Sequence, residues 1–387
     1  MKDATSCRIE RVTDSRACTD DPGLAVQVVR RIESEVIAAG WPVGASLGSE
    51  EELRRRHGAS RAVIREAIRL VEHQRVARMR RGPGGGLIVC RPSLEPAAHA
   101  LATYLHYAGT SFEDLLETRL ALGRLAFRLT TECIDGPGVE RLRRDLLADR
   151  QLDPGTFWCR PALLSPVAQL SGNRALPLFI SVVHRLLTRC LTPVRSRLPG
   201  GDARLEAWSQ DSRRQIIAAV AAGHAEEAVT LLAERIGDSG AWLRAHGADP
   251  GVIGVAQSVE NALAGRTAER IKHDIATDGW RIGTLLGTER ELATRYSVGR
   301  DVARETIRIL VYDGVAEGRR GRSGGVAVAA PRADRAVTSI AANLVLRGAT
   351  RDDLYPVGAA LQSADNPLID VFESIIAEAC STVVTST

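Results

Sequence analysis

The stretch SRAVIREAIR, residues 60–69, places Arg61, Arg65 and Arg69 at successive steps of four residues beside an apolar stripe. Apolar residues at this spacing predict an amphipathic helix, because residues three and four apart lie on one helix face. Ser60 is a typical N-cap residue and predicts that the helix begins there. One side of this short helix therefore carries three cations.

This helix lies in a long internal repeat. Residues 31–89 align with residues 270–328 without a gap, and GRDVARETIR at 299–308 repeats the arginine spacing with Arg300 and Arg304. A match of this length does not arise by chance, so we expect two copies of one structural unit. We call the two aligned segments the first repeat and the second repeat.

Each repeat predicts three helices followed by a hairpin. In the first, AVQVVRRIESEVIAAG has helical apolar spacing, and Ser49 with Glu52 has the spacing of a capping box. The segment VARMRRGPGGGLIV is typical of two short strands around a glycine turn. This order of elements is that of a winged helix-turn-helix. We expect such domains at residues 23–92 and 257–331, after a disordered leader at residues 1–22.

The register of the repeat continues beyond the hairpin. EDLL at 113–116 matches DDLY at 352–355, and ADNPLIDVF at 364–372 resembles SGNRALPLF at 171–179. The second copy thus looks like the first with its middle deleted. The sequence therefore predicts two helical segments, a full one at residues 98–250 and a truncated one at residues 332–387.

The composition excludes several classes of protein. Seven cysteines occur without a C-x-x-C pair in a chain of net charge +4, which argues against a disulfide framework or a zinc knuckle and favours a reducing cytoplasm. No apolar run reaches the length of about 18 residues that a membrane helix needs, and the polar start MKDATSCRIERVTDSRACTDD lacks the apolar core of a signal peptide. No Ser/His/Asp grouping, P-loop or dinucleotide fingerprint is present, so we expect neither an enzyme nor a cofactor.

A helix-turn-helix places its second helix in the major groove of double-stranded DNA, with N-terminal side chains at the base edges. Arg61 and Arg65 occupy those positions, and arginine suits bidentate contact with guanine. In the alternative interpretation the arginines form a solvated face that pairs with Glu66 and Glu72, and we expect Arg69 to be such a surface charge. The expected DNA contacts of the first repeat are Ser60, Arg61, Arg65, Arg81 and Gly82.

Both repeats resemble the DNA-binding domain of the GntR family of bacterial transcription regulators. The resemblance rests on GWPVGASLGSEEELRRRHGASRAVIREAIRLVEHQRVARMRRGPGGGLIV and GWRIGTLLGTERELATRYSVGRDVARETIRILVYDGVAEGRRGRSGGVAV. Both follow most of the family pattern L-P-S-E-R-E-L, V-S-R-x-x-V-R-E-A-L and G-R-G-G-x-x-V. The resemblance implies DNA contacts from the arginine of E-R-E, the Ser/Thr-Arg pair with the next residue, a later arginine and the wing-tip glycine.

The two repeats depart from this pattern in different ways. The first has Glu51 where the family has the arginine of E-R-E, and the second has Gly299 for the serine and Asp301 after the next arginine. An aspartate there either repels phosphate or selects a cytosine amino group. We therefore expect the repeats to prefer different half-sites, so that the operator is asymmetric. The expected DNA contacts of the second repeat are Arg290, Arg300, Arg304, Arg320 and Gly321.

Residues 98–250 show helical apolar spacing and resemble the effector-binding and dimerising domain of the FadR subfamily of GntR regulators, through E-x-R, SGN and I-x-A-x-x-A-G-x-x-x-x-A. In much of that subfamily an aspartate and three histidines hold a divalent metal. The matching positions here are Arg160, Leu164, Arg213 and Arg235, so we expect no metal site. The fold class is therefore expected to be mainly α: two winged helix-turn-helix domains, a FadR-like helical bundle and a truncated second copy of that bundle.

Arginines at former ligand positions indicate that the bundle binds an anionic effector directly, for example a carboxylate or an acyl-coenzyme A. The resemblance also places Arg119 at the family's effector-contacting arginine. In the alternative, the pocket has decayed and the arginines are exposed or paired with Glu117, Asp211 or Glu234. The expected effector-binding residues are Arg119, Arg160, Arg213 and Arg235.

The sequence favours a cytoplasmic transcription regulator, expected to be a repressor. The alternative is an interaction protein: Glu51, Gly299 and Asp301 then mark repeats that bind operators weakly or not at all, and the chain titrates a partner regulator. Because one chain carries two DNA-binding repeats, it acts either as an intrachain pseudo-dimer or as a homodimer with four of them. The sequence leaves both open.

Overall fold

The chain divides into two compact units. Residues 1–96 and 257–335 form the unit that contains both repeats, which we call the repeat unit, and residues 97–256 and 336–387 form the helical unit. The computed structural model describes residues 24–82, 85–150, 163–197, 203–245, 263–319, 325–362 and 366–385. The expected leader at residues 1–22 and the expected site residues Arg160, Arg320 and Gly321 lie outside the described residues.

The first repeat consists of three helices and a two-stranded antiparallel hairpin. Ser49 Oγ accepts the Glu52 N–H at 3.3 Å, and the Glu52 carboxylate accepts the Ser49 N–H at 2.7 Å, so the predicted capping box forms. The second helix ends at Gly58, whose φ of 60° is in the left-handed region that glycine favours. The elements are α1 (Leu24–Ala38), α2 (Glu50–His57), α3 (Arg61–His73), β1 (Ala77–Arg80) and β2 (Gly86–Val89).

One apolar core joins these elements and sets the direction of α3. Ile32 of α1, Leu53 of α2 and Ile64 of α3 are at most 1% exposed. Burial of each such side chain stabilises the fold by about 1.5–3 kcal/mol relative to exposure. Because the apolar side of α3 faces this core, its opposite side, with Arg61 and Arg65, lies in solvent.

In the segment between the two repeats, every regular element among the described residues is a helix. These are α4 (Leu94–Tyr107), α5 (Phe112–Cys133), α6 (Gly136–Arg150), α7 (Leu164–Gln169), α8 (Leu176–Arg197), α9 (Ala203–Ala221) and α10 (Ala225–Ala245). α5 is central, because it packs against α7, α8, α9 and α10. Its Leu122 and Phe127 are fully buried in the resulting core.

The second repeat has the elements of the first and one additional strand. They are α11 (Leu263–Thr277), β3 (Leu285–Gly287), α12 (Glu289–Arg295), α13 (Arg300–Tyr312), β4 (Ala316–Arg319) and β5 (Gly325–Val328). The strand order is β3-β5-β4. The Trp280 indole donates to the Ala329 carbonyl at 3.0 Å, as the Trp41 indole donates to the Cys90 carbonyl at 2.8 Å. The two repeats thus share a tertiary hydrogen bond as well as an element order.

Three further helices follow, α14 (Asp334–Leu346), α15 (Arg351–Ala360) and α16 (Pro367–Thr385). α15 and α16 both pack against α5 in the helical unit. With short strands only in the repeats, the described chain has the predicted mainly α fold class, which is thereby confirmed. No helix among the described residues has the length and apolar character of a membrane span.

Candidate nucleic-acid interface and ligand pocket

Arg61 and Arg65 extend side by side from the first two turns of α3. Their side chains are 71% and 54% exposed. Ser60 Oγ accepts the Val63 N–H at 3.4 Å, so the capped helix begins directly before Arg61. Because residues four apart lie on one face of a helix, both guanidinium groups are presented to the same side.

A carboxylate of α2 holds both guanidinium groups. Arg61 Nε donates to Glu50 Oε1 at 2.8 Å, and Arg65 Nε donates to the same oxygen at 3.1 Å. The hydrogen bond from Arg61 is the main reason that the pKa of Glu50 is lowered, so this carboxylate is charged at neutral pH. Sequence reasoning missed Glu50. Its only signal was the acidic first turn of α2, and the contact itself depends on how α2 crosses α3.

The second repeat keeps this arrangement for one arginine only. Arg304 donates to Glu289 through Nε at 3.1 Å and Nη2 at 2.9 Å, and its Nη1 lies 3.7 Å from Asp301 Oδ1. Arg300 is exposed at the start of α13 and makes no ion pair within the described residues. The cap residue Gly299 supplies no side-chain hydrogen bond. Helices α3 and α13 therefore present different charges and different caps.

The hairpin of the first repeat adds exposed cations beside α3. Arg81 follows β1 and is exposed. Gly82 has a φ of 100°, a conformation that favours glycine, and the position of a Cβ there is open space. The matching positions of the second repeat, Arg320 and Gly321, lie outside the described residues, next to the exposed Arg319 at the end of β4.

The E-R-E position differs between the repeats in charge and in pairing. In the first repeat Glu51 accepts from Arg54, at 2.9 Å from Nε and 2.7 Å from Nη2, so its negative charge is compensated within α2. In the second repeat Arg290 is exposed on α12 and makes no ion pair with another described residue. Arg54 therefore offsets the departure that the sequence shows at Glu51.

Helix α13 of the second repeat also contacts the first repeat. Arg308 Nε lies 2.8 Å from Glu66 Oε1 of α3, and the Tyr312 hydroxyl donates to the Glu33 carboxylate of α1. The Arg335 guanidinium carbon lies 3.5 Å from the centre of the Tyr312 ring. Glu66 thus pairs with the other repeat and not with the arginines of its own helix. No pattern in the sequence predicts this contact between the repeats.

Arg119 carries a buried charge in the helical unit. Burial, with a smaller effect of the nearby Arg213, lowers the pKa of Arg119 to about 10, so the guanidinium is charged at neutral pH. It makes no hydrogen bond or ion pair with another described residue. Arg213 is only 8% exposed. Two of the predicted effector arginines are thus buried in the helical unit, and their charges interact.

Arg235 and two of the suggested carboxylate partners have other contacts, whereas Arg160 lies outside the described residues. Arg235 Nη1 donates to Ser212 Oγ. Glu117, a suggested partner, accepts from the Asn366 amide at 3.2 Å, and Asp211 accepts from the Gln215 amide at 3.0 Å. Neither carboxylate neutralises Arg119.

A cavity of about 10 Å³ lies beside Arg119, lined by Arg119, Leu122, Leu164, Ile180, Val183 and His184. This volume is about that of one water-sized group. Burial, together with the charges of Arg119 and Arg185, lowers the pKa of His184 to about 4, so its imidazole is neutral at neutral pH. Leu164, which aligns with a former metal ligand, is thus part of the same wall as Arg119.

The described part of the chain contains no group of three or more His, Cys, Asp and Glu side chains that could hold a metal ion. Leucine and arginine cannot serve as ligands, because they offer no lone pair to a cation. Leu164, Arg213 and Arg235 therefore cannot form the metal site that the resemblance places at these positions.

Two protein-family models match the chain. Residues 263–326 match the family "Bacterial regulatory proteins, gntR family", and residues 114–238 match the FCD domain. The first match covers most of the second repeat, from α11 into β5. The second runs from α5 into α10 and includes Arg119 and the cavity. A comparison with curated proteins gave no match.

Several solved structures are similar to parts of the chain, and their low TM-scores do not establish a common overall arrangement. A Streptococcus agalactiae GntR protein is 22% identical, over 56% of this chain and 98% of that chain, with a TM-score of 0.37. E. coli McbR/YncC is 15% identical, over 57% and 97%, with a TM-score of 0.28. A GntR family transcriptional regulator from Pseudomonas syringae pv. tomato str. DC3000 is 21% identical, over 58% and 88%, with a TM-score of 0.27.

Proposed function

Because one chain carries a GntR-family domain of bacterial regulatory proteins and an FCD domain, we propose that it is a sequence-specific DNA-binding transcription repressor. The two repeats supply two helices, α3 and α13, that we propose to bind the major groove of DNA and that we call the recognition helices. Covalent linkage raises the effective concentration of the second helix at its half-site once the first is bound. Because the helices carry different charges at their first turns, the operator is asymmetric.

The observation that carries this proposal is the arginine pair on α3. Arg61 and Arg65 stand next to each other on the exposed side of a capped helix, with Ser60 at its start and Arg81 on the adjacent hairpin. Such a helix end places guanidinium groups at guanine edges and offers its cap to a phosphate oxygen. The remaining cations strengthen binding by neutralising phosphates.

The test begins with genome-wide mapping of the bound sites, followed by fluorescence anisotropy on the mapped operator. Arg61→Ala or Arg65→Ala is expected to weaken binding by about 1–3 kcal/mol, roughly 5- to 150-fold, because a bidentate base contact is lost. Arg69→Ala, on the same helix, is the matched control and is expected to change affinity less than about twofold. If the chain binds no operator above its non-specific affinity, it is an interaction protein that acts on a partner regulator.

We further propose that an anionic small molecule, a carboxylate, controls the repressor by binding at Arg119. Among the described residues Arg119 has no carboxylate partner, and a second arginine adds to its positive charge, so an effector carboxylate would supply a counter-charge. The cavity holds one water-sized group, so any carboxylate enters only if the neighbouring side chains move, and a short carboxylate requires less movement than acyl-coenzyme A. Arg213 adds to the positive potential, and Arg160 and Arg235 complete the proposed set.

Calorimetry against a series of short carboxylates and an acyl-coenzyme A tests this site. Arg119→Met is expected to abolish the binding heat while leaving operator affinity without effector unchanged, and Arg124→Met, exposed on the same helix, is the matched control. Since the pKa of Arg119 is about 10, binding is expected to be constant from about pH 6 to pH 9 and to weaken above pH 10. Equal heats in wild type and Arg119→Met would contradict the proposal.

A further inference from the structure

Two asparagines make equivalent hydrogen bonds in opposite directions across the helical unit. Asn173 and Asn366 occupy the same place in the similar segments SGNRALPLF and ADNPLIDVF. Asn173 Nδ2 donates to the Asp353 carbonyl at 2.8 Å, and Asn366 Nδ2 donates to the Asp114 carbonyl at 2.9 Å. Asp114 and Asp353 are themselves equivalent, because EDLL at 113–116 aligns with DDLY at 352–355.

The surroundings of these hydrogen bonds also agree in the two halves. Asn173 Oδ1 accepts the Ala175 N–H at 2.9 Å, and Asn366 Oδ1 accepts the N–H of the equivalent Leu368 at 3.1 Å. The helices that they contact both begin with a capping box, formed by Ser111 with Asp114 at the start of α5 and by Thr350 with Asp353 at the start of α15. Each half therefore contributes the same donor and the same acceptor.

Equivalent aromatic side chains meet between the two halves. The rings of Phe179 and Phe372, the last residues of the two similar segments, have their centres 4.9 Å apart at an interplanar angle of 70°. Both residues are 0% exposed. An interface is called isologous when both partners use the same surface, so that each contact has a reciprocal one and equivalent residues meet near the centre. Interfaces of this kind join two identical subunits about a twofold axis.

We propose that α15 and α16 serve, within one chain, as the partner half of an isologous dimer of the helical domain, so that the protein is a monomer in solution. The face of α5 and α8 that a second copy would need is already covered by the chain's own segment. If the inference is correct, one chain with two DNA-reading helices occupies one operator. This consequence rests on the proposed function.

The covering segment has diverged from the half that it replaces. The Arg174 N–H donates to Asp353 Oδ1 at 2.9 Å, and Arg174 Nη1 donates to the Gly348 carbonyl at 2.9 Å. The residue equivalent to Arg174 is Pro367, which has neither an N–H nor a guanidinium, so these two bonds exist on one side only. An interface between two identical chains with twofold symmetry has every contact twice, and this one does not.

The same divergence leaves one pocket for two recognition helices. In the register of EDLL and DDLY, the residue equivalent to Arg119 is Gly358 of α15, which has no side chain to bind an anion. The chain is therefore expected to bind one effector molecule, and that single event controls both helices.

Sedimentation equilibrium of the full chain, without DNA, from about 1 to 100 µM tests the inference. We expect a particle of 41.6 kDa at every concentration. Asn366→Ala loosens the covering segment and is expected to lower Tm by several degrees and to give a mass that rises with concentration towards twice that value. Ser374→Ala, whose hydroxyl bonds only within α16, is the matched control and is expected to remain a stable monomer.

A wild-type particle of twice the chain mass would overturn the inference, and so would an Asn366→Ala variant with unchanged Tm and mass. If Asn366→Ala does not fold, Phe372→Leu replaces it, because leucine keeps an apolar side chain but removes the ring contact. Loss of operator binding would contradict the proposed function and leave the measured mass unaffected, so the two failures are distinguishable.

Discussion

At the scale of single residues, we expect Glu50 to compete with DNA for the arginines that we propose to contact it. Its carboxylate accepts from both Arg61 and Arg65 in the free protein. Glu50→Gln is expected to raise affinity for non-specific DNA by about 2- to 5-fold and to make the salt dependence steeper, because the guanidinium groups lose a fixed counter-charge. Anisotropy titrations on random-sequence and operator DNA at several salt concentrations measure both effects.

The matched control for Glu50 is Glu51→Gln, on the same turn of α2. Glu51 pairs with Arg54 and with neither recognition arginine, so its substitution is expected to have a smaller effect. Since the pKa of Glu50 is lowered, its ion pairs are complete above the ordinary pKa of a glutamate and are lost only as pH falls through the lowered value. Assays near neutral pH therefore do not titrate it. Equal affinities of wild type and Glu50→Gln for random DNA would contradict the competition.

At the scale of elements, α3 and α13 differ by their caps and by one acidic residue. Asp301 is fully exposed and 3.7 Å from Arg304. If it repels phosphate, Asp301→Ala is expected to strengthen binding to all half-sites by about 2- to 10-fold, whereas a selective contact with cytosine predicts weaker binding only where that base is present. Binding to half-site variants of the mapped operator separates these outcomes, with Asp352→Ala in the helical unit as control. No change at any half-site would mean that Asp301 does not face DNA.

The sequence predicted those parts of the elements that depend on near neighbours. The capping box at Ser49 was predicted because both of its partners lie within four residues on the chain. The buried cluster of Lys272 with Glu269 and Asp313 could not be predicted, since Asp313 follows α13 and Lys272 lies on α11. The hydrogen bonds from Arg61 and Arg65 to Glu50 could not be predicted either, because they join α2 to α3. The sequence did predict that the two arginines lie on one face of α3.

Lys272 is expected to stabilise the second repeat strongly. Its side chain is 1% exposed, with Glu269 Oε1 at 2.9 Å and Asp313 Oδ2 at 2.7 Å. Lys272→Met leaves two buried carboxylates without their cation and is expected to lower the free energy of unfolding by about 3–5 kcal/mol. Burial alone lowers the pKa of Lys272, but the two carboxylates raise it above the ordinary pKa of a lysine. The stabilisation is therefore complete below the ordinary pKa and is lost only as pH rises through the raised pKa.

Urea unfolding near neutral pH measures the loss at Lys272. Arg266→Met, exposed on the same helix α11, is the control and is expected to change the free energy of unfolding by less than about 0.5 kcal/mol. If Lys272→Met lowers the free energy of unfolding no more than the control does, water or backbone groups must compensate the charges of the two carboxylates.

At the scale of the whole molecule, we expect the contacts between the repeats to set the distance between α3 and α13. The Tyr312 hydroxyl donates to Glu33, and burial raises the pKa of that carboxyl. Arg308 adds an ion pair with Glu66, in which both side chains are less than a third exposed. These contacts join α13 to α1 and α3. If both helices bind DNA, we therefore expect them to engage two half-sites together only at a matching spacing.

Tyr312→Phe removes the hydroxyl while keeping the ring against Arg335. For wild type, inserting about 5 base pairs between the half-sites turns one of them to the opposite side of the duplex and is expected to weaken binding at least tenfold. The variant is expected to lose less, about threefold, because a looser contact between the repeats allows other separations. Tyr355→Phe is the control, since Tyr355 is 79% exposed and lies in the helical unit. If Tyr312→Phe shows the full wild-type penalty, the spacing is set by DNA or by the linking segments and not by this contact.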